Sequence, residues 1–217
     1  MTANSEKTRR LTRLALLIAI ELIVGLLPFL GYIPLNPILN VTIIHIPVII
    51  GAIIMGPKAG AMLGFFFGLT SFINATFLRP NPIESPIFSP FFNGGAFEGG
   101  WQSLVICFVP RILVGLVAGG LYLLLKRTKI TSVISFAICG IAGSFTNTVL
   151  VLGGIYLFFR VPYAAAYGMS VDALYTTLMG IVGFNGVIEA IAAAIITAAV
   201  VKIVFSAGKK TGKRSEN

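Results

Sequence analysis

Residues 46–64 read IPVIIGAIIMGPKAGAMLG, and this stretch decides the fold of the chain. It holds two apolar runs on either side of Gly56-Pro57-Lys58, a connection little longer than a turn. Lys58 is the only charged residue in the stretch. Because long apolar runs with few charges are typical of helices that cross a bilayer, the stretch predicts two membrane helices joined by a minimal turn.

The composition of the whole chain also indicates a membrane protein. Of its 217 residues, 57% are apolar and 11% are charged, whereas an average soluble domain has about 45–50% apolar and about 25% charged residues. This apolar excess is too large for one water-soluble core, so the sequence excludes a soluble enzyme. The net charge of +9 does not indicate nucleic-acid binding, because the basic residues form no stripe interleaved with exposed aromatic residues.

About 20 residues cross the hydrocarbon layer as a helix, and on that basis the chain contains six candidate spans. They cover residues 11–30, 41–55, 59–78, 101–125, 131–159 and 176–205. The second span is short, and the fifth and sixth are long enough to tilt or to project from the bilayer. The predicted fold class is an all-α, six-helix integral membrane bundle. It forms a single domain over residues 1–217 and ends in a basic tail over residues 206–217.

Basic residues in short loops indicate the orientation of these spans, because such residues concentrate on the cytoplasmic side. Thirteen of the 16 basic residues fall on one side of the predicted topology. They are Lys7, Arg9, Arg10, Arg13, Lys58, Lys126, Arg127, Lys129, Lys202, Lys209, Lys210, Lys213 and Arg214. Arg79 and Arg160 fall on the opposite side, and Arg111 lies within a span. Both termini are therefore predicted to be cytoplasmic.

The outward connections are long and rich in proline. Residues 79–100 read RPNPIESPIFSPFFNGGAFEGG, and residues 28–40 read PFLGYIPLNPILN. Repeated proline excludes regular helix, because each proline lacks an N–H donor and restricts the residue before it. A loop of this length between two spans is often a lid over a site. The alternative is a packed plug that does not open or close.

Small residues predict where helices approach one another closely, because lipid provides no hydrophobic drive for helix association. Glycine recurs every four residues along the third span, at Gly56, Gly60, Gly64 and Gly68. Ala15 and Ala19 share one face of the first span. From the residues alone, this pair indicates packing within the molecule more than contact with a partner.

Polar groups at membrane depth are expensive, so each one is a candidate for function. Arg111 lies ten residues past Trp101, or about 15 Å into the membrane. Glu189 and Asn185 share a face of the sixth span, and Asn147 lies near the middle of the fifth. Arg111 and Glu189 form either a buried ion pair that fixes the fold or part of a ligand site between the helices.

Other candidate groups carry weaker signals. Trp101 and Phe108 share a helix face and could wall a pocket, although Trp101 also suits a membrane interface. Glu21 and His45 are titratable, but no chain of such residues connects them. The sequence contains no Walker-type phosphate loop and no HExxH or GxSxG motif. These absences predict a non-catalytic chain without a metal or a cofactor.

Three stretches resemble the substrate-binding S components of energy-coupling factor (ECF) vitamin transporters. Ala15-Leu16-Leu17-Ile18-Ala19, after a basic cluster, is similar to the AxxxA contact motif of that family. Residues 46–64 look like its second span, GP turn and third span. The long third loop and the polar groups on spans four to six complete the resemblance, which covers nearly the whole chain.

The resemblance implies a six-helix vitamin-binding subunit in a prokaryotic cytoplasmic membrane. Its partners would be a transmembrane coupling protein and two ABC-type ATPases, and it would topple in the membrane to release its substrate. By the same resemblance, Ala15 and Ala19 would face the coupling protein. The pocket would then be lined by Arg111, Asn147, Asn185 and Glu189, with Asn40 from the first loop and Trp101 as an apolar wall.

Arg111 at pocket depth favours a vitamin with an anionic group, since an arginine–carboxylate pair is bidentate and strong away from water. Pantothenate combines a carboxylate with hydroxyl and amide groups that Asn147, Asn185 and Glu189 could bind. Hydroxymethylpyrimidine, pyridoxine and riboflavin remain alternative substrates. A proton-coupled secondary transporter and a structural scaffold without a ligand are the alternatives from other functional classes.

Overall fold

In a computed structural model, the backbone is described for residues 3–27, 31–34, 40–92 and 94–214. Side chains are described for residues 6–27, 31, 42–92 and 94–207. In chain order, the elements are α1 (Ala3–Leu26), β1 (Tyr32–Pro34), β2 (Asn40–Thr42), α2 (His45–Met55), α3 (Pro57–Ile73), the π-helix π1 (Asn74–Leu78), α4 (Ser85–Phe88), α5 (Trp101–Leu125), α6 (Ser132–Ala166) and α7 (Val171–Arg214).

Long apolar helices dominate the described part of the chain. Four are long and apolar enough to cross a membrane: Pro57–Leu78, Trp101–Leu125, Ser132–Ala166 and Val171–Ala207. Helix α2 is apolar but has only 11 residues. Large apolar side chains such as Leu157 and Ile203 are exposed on the outside of the bundle. This surface is the one that a lipid environment accepts and water does not.

The predicted spans match the helices best in the middle of the chain. Helix α5 has the predicted bounds, and α3 with π1 ends at Leu78 as predicted. The predicted start of the second span, Val41, is wrong, because Val41 and Thr42 belong to β2 and the helix begins at His45. The predicted end of the first span at Leu30 lies outside the described residues.

The helices α6 and α7 extend beyond the fifth and sixth predicted spans. Helix α6 continues past Arg160 and Pro162 to Ala166, and α7 covers Val171–Arg214 rather than residues 176–205. The prediction ended each span where its apolar run ended. A helix, however, continues as long as its backbone groups find partners within it, so its ends can carry polar residues beyond the apolar section.

A short β-hairpin interrupts the otherwise helical architecture that the sequence predicted. Strands β1 and β2 are antiparallel, and Tyr32 pairs with Thr42 and Ile33 with Val41. The helical fold class is confirmed for the long elements, and the hairpin is a local addition in the connection between α1 and α2. The hairpin satisfies backbone donors and acceptors that a proline-containing loop cannot satisfy as a helix.

Glycine residues bring the backbones of α3 and α5 into direct contact. A Cβ atom on Gly64 would lie 2.0 Å from the carbonyl oxygen of Arg111, and one on Gly60 would lie 2.7 Å from that of Gly115. Both distances are too short for any side chain, so only glycine permits this approach. The contact at Gly64 fixes the position of Arg111 relative to α3.

Helix α1 has one face in the bundle and one outside it. Leu14, Leu17 and Ile18 pack against the buried core formed around α2 and α3. Ala15 and Ala19 lie on the opposite, exposed face. The alanine pair therefore takes no part in the inward packing of α1, and its contact with a partner stays a prediction.

We expect the substitution Gly64→Ala to destabilise the protein, because the added methyl group would clash with the Arg111 carbonyl. Overpacking of this kind costs about 1–3 kcal/mol. Gly120→Ala on α5 is the matched control, since a Cβ there meets nothing within 4 Å. Thermal unfolding in detergent should show a lower Tm for Gly64→Ala and an unchanged or slightly higher Tm for Gly120→Ala. Equal Tm values for the two variants would contradict the close approach of α3 and α5.

Candidate functional site

A cavity of about 420 Å³ lies among α3, α5 and α6, the strand β2 and the connection before α5. This size is within the range of small-molecule sites, about 300–1,000 Å³. Its described lining comes from β2, α3, π1, α4, α5, α6 and the loop before α4. The lining residues are Thr42, Phe67, Ser71, Asn74, Ala75, Arg79, Asn81, Glu84, Ser85, Phe88, Arg111, Asn147 and Val151.

Arg111 is buried in the wall of this cavity, and its neighbour in the sequence explains how it is held. Pro110 lies inside α5 and has no N–H group, so the carbonyl of Ile106 lacks its usual helical donor. The guanidinium of Arg111 donates from Nη1 to that carbonyl oxygen at 2.6 Å. The proline thus leaves an acceptor within the helix at Ile106, and the side chain of Arg111, five residues further on, satisfies it.

Two aromatic rings flank the same guanidinium. Its Cζ atom lies 5.2 Å from the centroid of the Phe67 ring and 4.8 Å from that of Phe88. Both distances are in the range of cation–π attraction, which is stronger where water is excluded. Phe67 comes from α3 and Phe88 from α4, so two different elements orient Arg111 towards the cavity.

The proline-rich connection before α5 is packed into the structure as a wall of the cavity. The hydroxyl of Ser103 on α5 donates to the carbonyl of Pro86 at 2.5 Å. The hydroxyl of Thr76 on π1 lies 2.8 Å from that of Ser89. These bonds hold both ends of α4 against helices, so Phe88 has a fixed position over Arg111. An opening movement of this connection stays a prediction.

Several polar oxygens at the cavity are buried without a hydrogen-bond partner among the described residues. They are Oγ of Ser71, Oδ1 of Asn74 and Oδ1 of Asn147. Buried polar groups are nearly always paired in folded proteins, because leaving one unpaired costs about 1–3 kcal/mol. Three such groups on one cavity favour a polar ligand that supplies the partners.

The cavity is lined by charged residues of both signs, and the excess of arginine favours an anionic ligand. Arg79 and Arg111 both line it, and Glu84 is the acidic residue among the described lining residues. Although Glu84 keeps an exposed part, burial of its carboxyl raises its pKa above the ordinary value. At pH values below that raised pKa, Glu84 takes up a proton and no longer repels an anionic ligand.

Glu189 connects α7 to β2, in the connection between α1 and α2. Its Oε1 accepts a hydrogen bond from the backbone N–H of Thr42 at 2.7 Å, and its Oε2 accepts one from the hydroxyl of Thr148 at 3.0 Å. These are its partners within the described residues, and Arg111 is not one of them. The carboxyl group thus holds β2 beside α6 and α7, next to the cavity.

The structure brings together some of the predicted site residues and not others. Arg111 and Asn147 line the cavity, and Glu189 reaches it through Thr42. Asn185 is buried with its Oδ1 unpaired among the described residues, but it is not among the described lining residues. Trp101 is 65% exposed and packs on Phe158 instead. The side chain of Asn40 lies outside the described residues.

Other lining residues were not predicted from the sequence, notably Asn74, Arg79, Glu84 and Phe88. All four come from the end of the third span or from the connection that follows it. The proline-rich composition of that connection indicated a cover for the site. No periodic pattern exists there to show which of its side chains point inwards.

The other two titratable residues that the sequence singled out, Glu21 and His45, are not among the described residues that line the cavity. Glu21 and His45 are both fully buried. Neither has a hydrogen-bond partner among the described residues, so they form no relay with Glu189 there.

Comparisons with known proteins agree on one family. The family described as "ECF transporter, substrate-specific component" matches residues 9–201. The pantothenic acid transporter PanT of Lactococcus lactis subsp. cremoris is 36% identical over 200 residues, 89% of this chain and 90% of the relative. The pantothenate transporter PanT of Leuconostoc mesenteroides subsp. mesenteroides is 31% identical over 214 residues, 96% of this chain and 98% of the relative.

A solved structure shares the fold. The crystal structure of the S component for biotin from an ECF-type ABC transporter superposes with a TM-score of 0.54. It is 18% identical, and the alignment covers 93% of this chain and 95% of that one.

We expect Glu189→Gln to lower the stability of the protein. A glutamine amide nitrogen cannot accept a hydrogen bond, so the Thr148 hydroxyl must turn its proton to the Ser144 carbonyl, 3.3 Å away, and accept from the amide instead, and both bonds lose the charge of the carboxylate. Such a loss costs about 1–3 kcal/mol at a buried site. The measurement is the Tm of Glu189→Gln, Thr148→Val and the double variant.

Because both substitutions affect one hydrogen bond, their effects on Tm should be less than additive. Additive effects, or a Tm of Glu189→Gln equal to that of the wild type, would contradict the bonding assigned to Glu189.

Proposed function

We propose that this chain, which belongs to the family of substrate-specific components of ECF transporters, binds pantothenate and delivers it to an ATP-driven partner module. The observation that carries the proposal is Arg111, a buried guanidinium in the wall of a polar cavity. The names of the relatives from Lactococcus lactis and Leuconostoc mesenteroides support the choice of vitamin.

The chemistry of pantothenate fits the groups at the cavity. Its carboxylate pairs with Arg111, because guanidinium N–H groups form charge-assisted hydrogen bonds with carboxylates. Its hydroxyl and amide groups supply donors for the unpaired oxygens of Ser71, Asn74 and Asn147. Its dimethyl group packs on Val151. The oxygens of Ser71, Asn74 and Asn147, which are unpaired among the described residues, thus each meet a donor of the ligand.

In the proposed binding site, the other residues that were predicted from the sequence have distinct roles. Glu189 holds β2, and therefore Thr42, at the cavity. Asn185 lies one helical turn from Glu189 on the same face of α7. Its amide oxygen, unpaired among the described residues, can reach a ligand or an ordered water there. Asn40 completes the site from the hairpin, and Trp101 stays at the membrane interface.

The proposed topology has six spans with both termini in the cytoplasm. The described helices α1, α2, α3, α5, α6 and α7 provide these spans, and the distribution of basic residues supports the orientation. The cavity then lies towards the outer side, where a vitamin arrives. The protein is a multi-pass component of the bacterial cell membrane and carries out no catalysis itself.

Transport depends on partners in this proposal. A transmembrane coupling protein and two ABC-type ATPases form the module that uses ATP, and the exposed face of α1 with Ala15 and Ala19 contacts the coupling protein. Small residues on an exposed helix face permit the close helix contact that such docking needs.

The proposal is tested by titration calorimetry of the purified chain with pantothenate, biotin, riboflavin and pyridoxine. We expect saturable one-to-one binding of pantothenate and none of comparable strength by the others. Preferential binding of another vitamin would overturn the choice of substrate.

Measurements of uptake in cells test whether transport depends on the partner module. Uptake of labelled pantothenate by cells that express the chain should require an intact coupling protein and its ATPases. Full uptake in cells without these ATPases would contradict the proposal and favour a secondary transporter.

A further inference from the structure

The last turn of α1 is held by side chains that also line the cavity. The final carbonyl groups of a helix have no partner within it. Here the amide nitrogen of Asn74 donates to the carbonyl of Gly25 at 2.7 Å. The guanidinium of Arg79 donates from Nη2 to the carbonyl of Leu26. Both side chains belong to the described lining of the cavity.

The π-helix π1 explains why Asn74 and Arg79 can both line the cavity and bond to the end of α1. Its single wide turn is closed by the backbone N–H of Arg79, which donates to the carbonyl of Asn74 at 2.8 Å. Asn74 is the first residue of the wide turn, and Arg79 directly follows its last residue. The backbone hydrogen bond between these two residues brings them to the same side of the helix. Wide turns of this kind are frequent at functional sites.

The bonds at α1 leave ligand-binding capacity on both side chains. With its nitrogen bound to Gly25, Asn74 still has Oδ1, which is buried and unpaired among the described residues. Arg79 uses one donor of its guanidinium on a neutral carbonyl, and a guanidinium has five. A carboxylate forms charge-assisted bonds that are roughly twice as strong as those to a neutral acceptor. Because the guanidinium moves as one rigid fork, a carboxylate that pairs with it draws Arg79 away from the weaker acceptor, the Leu26 carbonyl.

We propose that Arg79 is a second anion-binding residue, and that a carboxylate ligand draws it from the C-terminus of α1 and so loosens the last turn of that helix. This inference rests on the proposed function, because the ligand carboxylate is that of pantothenate. It adds a coupling between the cavity and α1, the helix whose outer face carries Ala15 and Ala19. A cation at the C-terminus of a helix stabilises that helix, so the withdrawal of Arg79 destabilises the last turn of α1.

Hydrogen exchange of the backbone amides of residues 23–27, followed by mass spectrometry, tests this coupling. We expect saturating pantothenate to accelerate exchange there in the wild-type chain. Panthenol, in which an alcohol replaces the carboxylate, should bind without this acceleration. In Arg79→Gln, exchange should be fast without ligand and should not change on adding pantothenate.

The same variants give an affinity measurement. Arg79→Gln should weaken pantothenate binding roughly tenfold or more, as expected for loss of a hydrogen bond to a charged group. Arg160→Gln is the matched control, because Arg160 lies near the outer end of α6 over Tyr156 and not among the described lining residues. It should leave both the affinity and the exchange at α1 unchanged.

The outcomes separate this inference from the function it rests on. Tight pantothenate binding with unchanged exchange at residues 23–27 would overturn the coupling and leave the function intact. Unchanged affinity in Arg79→Gln would overturn the role of Arg79 in the same way. Absence of pantothenate binding to the wild-type chain would overturn both.

Discussion

The burial of one guanidinium among membrane helices is the constraint on which the site depends. An arginine at this depth is costly unless its donors and its charge are satisfied by the protein or by a ligand. Pro110 removes a helical donor and leaves the Ile106 carbonyl for Arg111. Phe67 and Phe88 then flank the charge. These contacts orient Arg111 but leave it at the surface of a cavity, where an anion is the natural additional partner.

The rest of the architecture brings distant parts of the chain to this group. The close approach of α3 at Gly64 sets the position of Arg111 relative to α3. The hydrogen bond from Ser103 to Pro86 holds the connection before α5 in place, so that Phe88 lies over the guanidinium. Glu189 holds the β-hairpin at the same cavity. The cavity wall at Asn74 and Arg79 also caps α1. In the proposed function, ligand binding and the position of α1 therefore depend on the same side chains.

The sequence predicted the helical membrane architecture and the family, because hydropathy and small-residue spacing report directly on lipid exposure and helix contact. It also singled out Arg111 and Asn147, since polar residues are rare at membrane depth. The structure adds β1, β2 and the contribution of Arg79, which the sequence did not predict. Arg79 contacts Leu26, 53 residues away in the chain, and β2 is held by Glu189, 147 residues from Thr42. No local pattern reports on such contacts.

The central claim is that Arg111 recognises the carboxylate of the ligand. The most direct measurement compares the affinities of pantothenate and panthenol for the wild-type chain and for Arg111→Gln, with Tm values to show that both fold. We expect the wild-type chain to prefer pantothenate by about 1.5–3 kcal/mol and most of this preference to be lost in Arg111→Gln. An equal preference for pantothenate in a folded Arg111→Gln variant would contradict it.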